Sequence, residues 1–230
     1  MNPPRHVARV ELVRRIDAAP LPGHAFLSLH RLELANVYPD GAVSRTYPYD
    51  AVLRRYLDAV ALLLTSGGDG APRVCLRSCL RPPLLLRAGA VTPLEEPAGT
   101  PCLWELPAGL IEDGDRGVDG IRARAAAEAF EEVGVRIPAD RFAVLAGAPF
   151  VSPGVIPERI HFARAEVERP EDAQAPAGDG SPVEERAEIA WVALDEALAM
   201  CDRGEIEDMK TELGLRRLAA SRRAAKEPLR

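Results

Sequence analysis

The sequence WELPAGLIEDGDRGVDGIRARAAAEAFEEVGV, from Trp104 to Val135, contains the strongest structural signal in the chain. It predicts the start of a strand, a Pro-Ala-Gly turn, an acidic glycine-rich loop and then a helix. The helix is expected to end at Gly134, because glycine takes the left-handed conformation of a helix end at the lowest cost. An apolar residue recurs every four positions and predicts the face of the helix that packs on the core: Ile121, Ala125, Ala129 and Val133.

Three glutamates lie near the end of this predicted helix: Glu128, Glu131 and Glu132. Spacings of three and four residues place their carboxylates on one side of a helix. Like charges at this spacing repel each other, and the helix dipole also disfavours anions at this end. A divalent cation would relieve both costs, and carboxylate oxygens are ligands that suit Mg²⁺ or Mn²⁺. The alternative is an acidic face turned to solvent, which a lone Glu-Glu-x-Gly motif would more often indicate.

Together these residues resemble the Nudix box, whose usual form is G-x5-E-x7-R-E-U-x-E-E-x-G-U, where U is an aliphatic residue. The first half of the pattern is matched by Gly109 at the first glycine and by Asp115 at the first acidic position. The second half is matched by Glu128, Ala129, Glu131, Glu132, Gly134 and Val135.

Two features of the chain depart from that pattern. Ala127 stands at the arginine position, and the gap between Asp115 and Ala127 is four residues longer than in the consensus. Asp119 restores the usual spacing to Ala127, which suggests an extra turn in the loop. Arg124, one helical turn earlier, is the candidate for the missing cation. The departures therefore concern the half of the motif that orders the loop more than the half that binds metal.

The resemblance covers roughly residues 40–218 and implies an α/β fold. This fold is the Nudix α/β/α sandwich with a mixed sheet, preceded by a small N-terminal antiparallel β extension. We expect residues 1–56 to form the extension and residues 57–230 to form the Nudix hydrolase domain. In similar ADP-ribose pyrophosphatases the extension is exchanged between subunits, which implies a homodimer. A hairpin packed on its own chain is the alternative.

Patterns of apolar residues predict the remaining elements. Strands are expected at residues 7–13, 25–35, 42–47, 57–65, 73–80, 142–146 and 187–194, with a further strand around Phe162. Helices are expected at residues 196–202, where Asp195 is a candidate cap, and at residues 204–218. The second of these begins with GEIEDMKT and resembles the G-x-I-x-D-x-K-T terminal helix of the same family. The Pro- and Gly-rich ranges 84–101 and 168–182 are expected to be loops.

The resemblance also implies which residues hold the metal. Glu128 and Glu132 are the expected Mg²⁺ ligands, with Mn²⁺ as a possible replacement for Mg²⁺. Glu131 is expected either as a third ligand or as a catalytic residue that holds the attacking water. The carbonyl oxygen of Ala108, in the Pro-Ala-Gly turn, is the fourth expected ligand.

Four further residues are expected at the substrate. Arg81, in the segment CLRPP, is the candidate phosphate ligand because a guanidinium pairs with two phosphate oxygens at once. Glu158 is expected to line the substrate pocket. Glu184 or Glu185 is the candidate general base, since a carboxylate on a loop can close over a substrate. For each of these residues the alternative is an ordinary surface charge.

The activity that the resemblance implies is Mg²⁺-dependent hydrolysis of the P–O–P bond of a nucleoside diphosphate sugar. ADP-ribose, cut to AMP and ribose 5-phosphate, is the first candidate substrate. UDP- and GDP-sugars are alternatives, because the longer loop and missing arginine resemble UDP-sugar-cleaving relatives. A non-catalytic Nudix domain that binds a nucleotide as a sensor or scaffold is a second class of function. A structural protein with no nucleotide site is a third.

The composition of the chain narrows the possible classes of function and partner. The 230 residues have a net charge of -6 and are 47% hydrophobic, which is ordinary for a globular cytoplasmic protein. The acidic balance argues against nucleic-acid or membrane partners. No apolar run approaches the roughly 20 residues of a membrane span, and the first residues lack the apolar core of a signal peptide. The four cysteines lack zinc-site spacing and are expected to be reduced thiols.

Overall fold

The computed structural model describes residues 9–16, 26–68, 70–87, 90–94, 101–174 and 182–226. These residues divide into two compact units. The first unit contains the described residues up to Leu57 together with Phe150–Arg159. The second unit contains the described residues of Asp58–Pro149 and those from Ile160 onward.

The strands of the described chain are, in order, Arg9–Ile16 (β1), Ser28–Val37 (β2), Tyr47–Leu53 (β3), Ala59–Ser66 (β4), Arg73–Leu80 (β5), Cys102–Glu105 (β6), Ala108–Leu110 (β7), Ala143–Val144 (β8), Phe150–Ser152 (β9), Ile156–Glu166 (β10) and Ile189–Ala193 (β11). The α-helices are Gly117–Val133 (α1), Leu194–Asp202 (α2) and Met209–Lys226 (α3). Short 3₁₀ helices cover Pro82–Arg87, Ala139–Arg141 and Pro170–Asp172.

The first unit contains an antiparallel sheet in the order β1-β2-β3. The strand that returns after the turn at residues 38–41 begins at Tyr47, so the sequence-based prediction of a strand at 42–47 was wrong. A side chain explains the difference. Ser44 Oγ accepts a hydrogen bond from Asn36 N at 2.9 Å, which takes a backbone donor away from the ladder. A single bridge, between Val37 and Val43, remains in this segment.

Strand β4 lies at the centre of the sheet of the second unit, and every one of its residues is buried. The sheet has the order β11-β5-β4-β10-β8, while β6 pairs with β5 and β7 pairs with β4. Strands β4 and β10 run parallel, whereas the other pairs of this sheet are antiparallel. The sheet is therefore mixed, and its central strands bury both faces.

Helices cover both faces of this sheet. The α1 residues Ala125, Ala129 and Val133 are fully buried and share a core cluster with Val60 and Leu62 of β4, as the four-residue spacing predicted. On the opposite face, Gly214 of α3 lies against Phe162, whose neighbour Ala163 belongs to the α1 cluster. The predicted fold class, an α/β sandwich with a mixed sheet and a separate N-terminal antiparallel sheet, is confirmed.

Helix α2 begins two residues earlier than the sequence predicted. Leu194 is buried and donates its backbone N–H to Pro72 O at 2.9 Å, so the helix starts at this anchored residue. Ala193 precedes the helix and no side chain caps it, which means that the predicted cap at Asp195 was wrong. Asp195 lies instead in the first turn, where its negative charge favours the helix dipole.

The two predicted loops are described only in part. Residues 88–89 and 95–100 of the first loop, and residues 175–181 of the second, lie outside the described residues. Helix α3 begins at Met209 rather than at the predicted residue 204, and it ends later than predicted, at Lys226. Of the helices that the structure describes, none combines the length and the apolar character needed to cross a bilayer.

Candidate carboxylate site on helix α1

The end of α1 places the three candidate glutamates beside the β6–β7 turn. Gly134 ends the helix with a φ of 74°, and its N–H donates to Phe130 O at 3.0 Å. A β-carbon at Gly134 would also lie 2.6 Å from the backbone oxygen of Gln174. Both the conformation and the close approach therefore require glycine here, which fixes where the last turn of α1 stops.

Glu132 bridges α1 and the Pro-Ala-Gly turn. Its Oε2 accepts a hydrogen bond from Ala108 N at 2.7 Å, and its Oε1 lies 3.3 Å from the guanidinium of Arg77. Burial raises the pKa of Glu132 above its ordinary value, against the opposing effects of Arg77 and the Ala108 N–H. The carboxylate is thus held in a fixed position and still lacks enough positive charge to offset its burial.

Glu128 lies one helical turn earlier and is packed directly on the backbone of Gly109. A β-carbon added to Gly109 would fall 1.7 Å from Glu128 Oε1. Burial raises the pKa of Glu128 to about 8, and the charges of Glu132 and Glu131 contribute to the increase. The first glycine of the Nudix-like pattern therefore makes room for one of its glutamates.

Glu131 differs from the other two glutamates because its side chain is exposed. Its charge nevertheless acts on the pKa of Glu128, so the carboxylates of α1 influence one another as their spacing predicted. Within the described residues, no three His, Cys, Asp or Glu side chains form a group that could hold a metal ion.

Arg124 orders the acidic loop that precedes α1. Its guanidinium lies 2.9 Å from Asp115, 3.1 Å from Glu112 and 3.8 Å from Glu128. Asp115 also accepts a hydrogen bond from the backbone N–H of Glu112 at 2.9 Å. Burial raises the pKa of Asp115, but the Glu112 N–H and Arg124 outweigh it and bring the pKa below its ordinary value. Arg124 thus supplies a cation to the longer loop, where Ala127 cannot.

Arg81 extends from the end of β5 and pairs with Glu105. Its Nε and a terminal nitrogen donate to the two carboxylate oxygens of Glu105, each at 2.7 Å. Lys210 of α3 also contacts Glu105, whose side chain is almost fully buried. About half of the Arg81 side chain remains exposed, with a relative accessibility of 47%. Its expected role as a phosphate ligand remains a prediction.

The other candidate substrate and catalytic residues belong to different units of the chain. Glu158 forms an ion pair of 2.5 Å with Arg54 within the first unit. Glu184 is half-buried in the turn at residues 182–186, and its charge raises the pKa of both Glu128 and Glu132. Glu185, the next residue, is exposed. The structure therefore associates Glu184 with the carboxylates of α1.

Sequence reasoning missed two residues at the site, Arg77 and Lys210. Arg77 is buried in β5, and its Nε has no hydrogen-bond partner. The signal for it was a charge inside an otherwise apolar strand, since a buried cation requires a partner. Lys210 belongs to the pattern G-x-I-x-D-x-K-T at residues 204–211, but nothing local to that pattern indicated that its partner would be Glu105.

The groups near the end of α1 match a hard divalent cation in donor type, although within the described residues they are not gathered into a three-residue metal group. The carboxylates of Glu128, Glu131 and Glu132 and the carbonyl of Ala108 offer oxygen only, which is the donor type that Mg²⁺ and Mn²⁺ prefer. Burial raises the pKa of Glu128 to about 8, so added positive charge would stabilise its anion. A bound cation would supply that charge.

The fold and the site define a mixed α/β protein with a Nudix-like fold and a carboxylate cluster on its first helix. No family model matches the chain, and no curated protein matches its sequence. Among solved structures, the chain is similar to one described as an ADP compounds hydrolase, with a TM-score of 0.57 and 12% sequence identity. The match covers 96% of this chain and 95% of the other. At this identity the similarity concerns the fold.

Proposed function

We propose that this protein hydrolyses the P–O–P bond of a nucleoside diphosphate linked to a second group, with ADP-ribose as the first candidate substrate. The observation that carries the proposal is the burial of Glu128 and Glu132 against the Gly109 and Ala108 backbone. Two buried carboxylates with raised pKa values are unfavourable unless a cation joins them. The similarity of the fold to an ADP compounds hydrolase supports the same class of substrate.

In this proposal the chain holds Mg²⁺ through Glu128 and Glu132, with Glu131 and the Ala108 carbonyl as further ligands. The bound ion would neutralise the diphosphate oxygens and lower the pKa of the attacking water. The Ala108 N–H keeps the Glu132 carboxylate in one orientation through its 2.7 Å hydrogen bond. Arg77, on the other side of that carboxylate, restricts it further.

Arg81 binds a substrate phosphate in this proposal, because its exposed half can reach solvent while Lys210 keeps Glu105 paired. Glu184 is the preferred general base. Its charge raises the pKa of Glu128 and Glu132, which supports a location near the proposed metal ligands. Glu185, which is exposed, is the alternative base.

One observation favours a second candidate function, nucleotide binding without turnover. Arg77 contacts Glu132 and Arg124 contacts Glu128, so each buried glutamate already has a protein cation near it. A sensor or scaffold would use these ion pairs as structure and would leave the diphosphate intact. UDP- and GDP-sugars remain alternative substrates for a catalytic protein.

The test is a panel of ADP-ribose, UDP-glucose, GDP-mannose and dinucleotides with Mg²⁺, in which phosphatase releases phosphate from the products. We expect turnover of ADP-ribose that EDTA abolishes. Glu132→Gln should lower turnover about 100-fold or more while the protein stays folded, since one ligand of the metal is lost. Asp119→Asn, which changes an exposed carboxylate of the same helix, is the control.

The outcomes separate the candidates. Turnover of a panel member that is lost in Glu132→Gln supports the enzyme. The relative rates across the panel then rank the preferred nucleotide bases. Thermal stabilisation by a nucleotide without phosphate release identifies the sensor. Unchanged turnover in Glu132→Gln would show that the metal does not use this residue.

Exposed apolar side chains in the first unit support a homodimer. The antiparallel sheet of this unit exposes large apolar side chains, among them Leu12, Val13 and Leu29. We propose that a second copy of the chain covers them in a homodimer. Light scattering of the purified protein distinguishes this from a monomer of 24.8 kDa.

A further inference from the structure

The first turn of α3 is bonded directly to the segment that leads into the Pro-Ala-Gly turn. Thr211 is fully buried, and its Oγ1 accepts a hydrogen bond from Leu106 N at 2.8 Å. The same hydroxyl donates to Asp208 Oδ2 at 2.5 Å. Thr211 therefore joins two segments of the chain that are 105 residues apart.

Asp208 fixes the orientation of the Thr211 hydroxyl. It immediately precedes α3, and its Oδ2 accepts from Thr211 N at 3.0 Å while its carbonyl accepts from Glu212 N at 3.0 Å. This is the arrangement of a helix N-cap. Because the hydroxyl hydrogen is committed to Asp208, the oxygen can only accept from Leu106.

Lys210 adds a second connection from the same turn. It contacts both Asp208, at 2.8 Å, and the buried carboxylate of Glu105. Burial raises the pKa of Glu105, but the hydrogen bond from Arg81 and the charge of Lys210 outweigh it and lower the pKa below its ordinary value. Glu105 is thus an anion held by two cations, one of which belongs to α3.

The segment from Glu105 to Ala108 is bonded at each residue. Glu105 and Leu106 are held by α3, the carbonyl of Pro107 accepts from Leu62 N at 2.8 Å, and Ala108 N donates to Glu132. Few degrees of freedom remain between Thr211 and the carboxylate of Glu132. A shift of Leu106 would therefore be passed to Ala108.

Gly214, one turn further along α3, allows the helix to come this close. A β-carbon there would lie 2.6 Å from Leu106 Cδ1 and 2.9 Å from Phe162 Cε1. The backbone of α3 is consequently in contact with the side chain of the same Leu106 whose N–H is bonded to Thr211.

We propose that Asp208, Lys210 and Thr211, which we call the α3 anchor, are positioning residues that set the place of Ala108 beside Glu132. The sequence pattern G-x-I-x-D-x-K-T thereby acquires a role in the site, although its residues do not contact the α1 carboxylates. The consequence for catalysis rests on the proposed hydrolase function. The positioning itself does not, and can be measured without a substrate.

The experiment compares Thr211→Val, which removes the hydroxyl at nearly constant volume, with Thr211→Ser, which keeps it. Leu218→Ala, a buried change in the same helix without a bond to the segment, is the control for general destabilisation. The first measurement is the amide exchange rate of Ala108 in the metal-free protein by NMR, at conditions where the variants have equal stability. The second is kcat, KM and the Mg²⁺ dependence for the panel substrate.

We expect Thr211→Val to accelerate exchange of the Ala108 amide about tenfold and to lower kcat about tenfold with little change in KM. Thr211→Ser should restore both, and Leu218→Ala should change neither at matched stability. If Thr211→Val does not fold, Lys210→Met and Lys210→Arg replace the Thr211 pair. Lys210→Met removes the contact with Glu105, and Lys210→Arg keeps the positive charge. Equal effects of Thr211→Val and Leu218→Ala would overturn the proposal. Absence of turnover in the wild-type protein would reject the hydrolase alone, because the exchange rates still decide the positioning.

Discussion

Gly109 and Glu128 are in contact at a distance that no side chain at position 109 would permit, since an added β-carbon would lie 1.7 Å from Glu128 Oε1. We predict that Gly109→Ala displaces this carboxylate and lowers turnover about 100-fold, which is the usual effect of a shift near 1 Å in a catalytic group. Steady-state kinetics measure the loss. Gly114→Ala, in the same loop but with nothing within 4 Å, should be close to wild type.

Arg124 is predicted to maintain the acidic loop. Arg124→Ala leaves Asp115, Glu112 and Glu128 without their shared cation, so we expect turnover to fall about tenfold and proteolysis of residues 111–116 to accelerate. Arg116→Ala changes an exposed arginine of the same loop and should have little effect. Equal proteolysis rates in the two variants would contradict the prediction.

Ala127→Arg tests the same loop by placing an arginine where the Nudix pattern has one. Because Arg124 already pairs with Asp115, the added arginine should leave activity unchanged in the wild-type background. When it is combined with Arg124→Ala, the added arginine should restore part of the turnover that Arg124→Ala loses. Loss of soluble protein in both backgrounds would show that the longer loop uses the space at Ala127.

Glu105 is predicted to contribute stability that depends on pH. Its pKa is lowered in the folded protein, so its contribution is present above the ordinary value of 4.5 and is lost as the pH falls through the lowered pKa. Glu105→Gln should reduce the free energy of unfolding by about 2 kcal/mol at neutral pH, because Lys210 and the half-exposed Arg81 lose their partner. Urea unfolding of both proteins at several pH values from about 3 to about 7, a range that brackets the carboxyl pKa, measures the difference.

That difference in unfolding free energy should be constant near neutral pH and should shrink below the ordinary carboxyl pKa. Glu171→Gln, which removes an exposed partner of Arg169, serves as the control and should show almost no difference at any pH. A gap between wild type and Glu105→Gln that persists unchanged in acid would refute the ionic origin of the effect.

The cysteines are predicted to differ sharply in reactivity. Burial raises the pKa of Cys75 to about 12 and that of Cys79 to about 11, with the charges of Glu132 and Glu105 as further causes. Since the thiolate is the reactive form, these thiols should be inert in the native protein, whereas the exposed Cys102 should react. A thiol reagent should show one fast phase that Cys102→Ala removes. Several fast thiols in the native wild-type protein would disagree with this.

Local patterns in the sequence were sufficient for the elements around the site. Strand β5 occupies Arg73–Leu80 as predicted, and α1 ends at Gly134, because a largely buried strand and a left-handed glycine leave signals within a few residues. The strand after the turn at residues 38–41 was misplaced for a related reason. Around Ser44 the pairing with β2 is reduced to a single bridge, and the Ser44 side chain accepts the Asn36 N–H in place of a backbone carbonyl.

Contacts between distant residues account for what the sequence did not reveal. Arg81 was predicted as a phosphate ligand, and its ion pair with Glu105, 24 residues further along the chain, was not foreseen. Lys210 reaches the same carboxylate across 105 residues. No periodicity or spacing encodes such pairings, since they depend on which strands become neighbours. The glutamates of α1 were recognised, but their unequal burial was not.

The parallel pairing of β4 with β10 affects how the chain can be made. Thr65 and Ala165 are hydrogen-bonded although 100 residues separate them. During synthesis, the helix with its three glutamates therefore leaves the ribosome well before the strand that completes the sheet beneath it. The edge of β4 that pairs with β10 stays uncovered for that interval, and closing so long a loop is slow. A nascent chain stopped before residue 160 is a natural client for a chaperone.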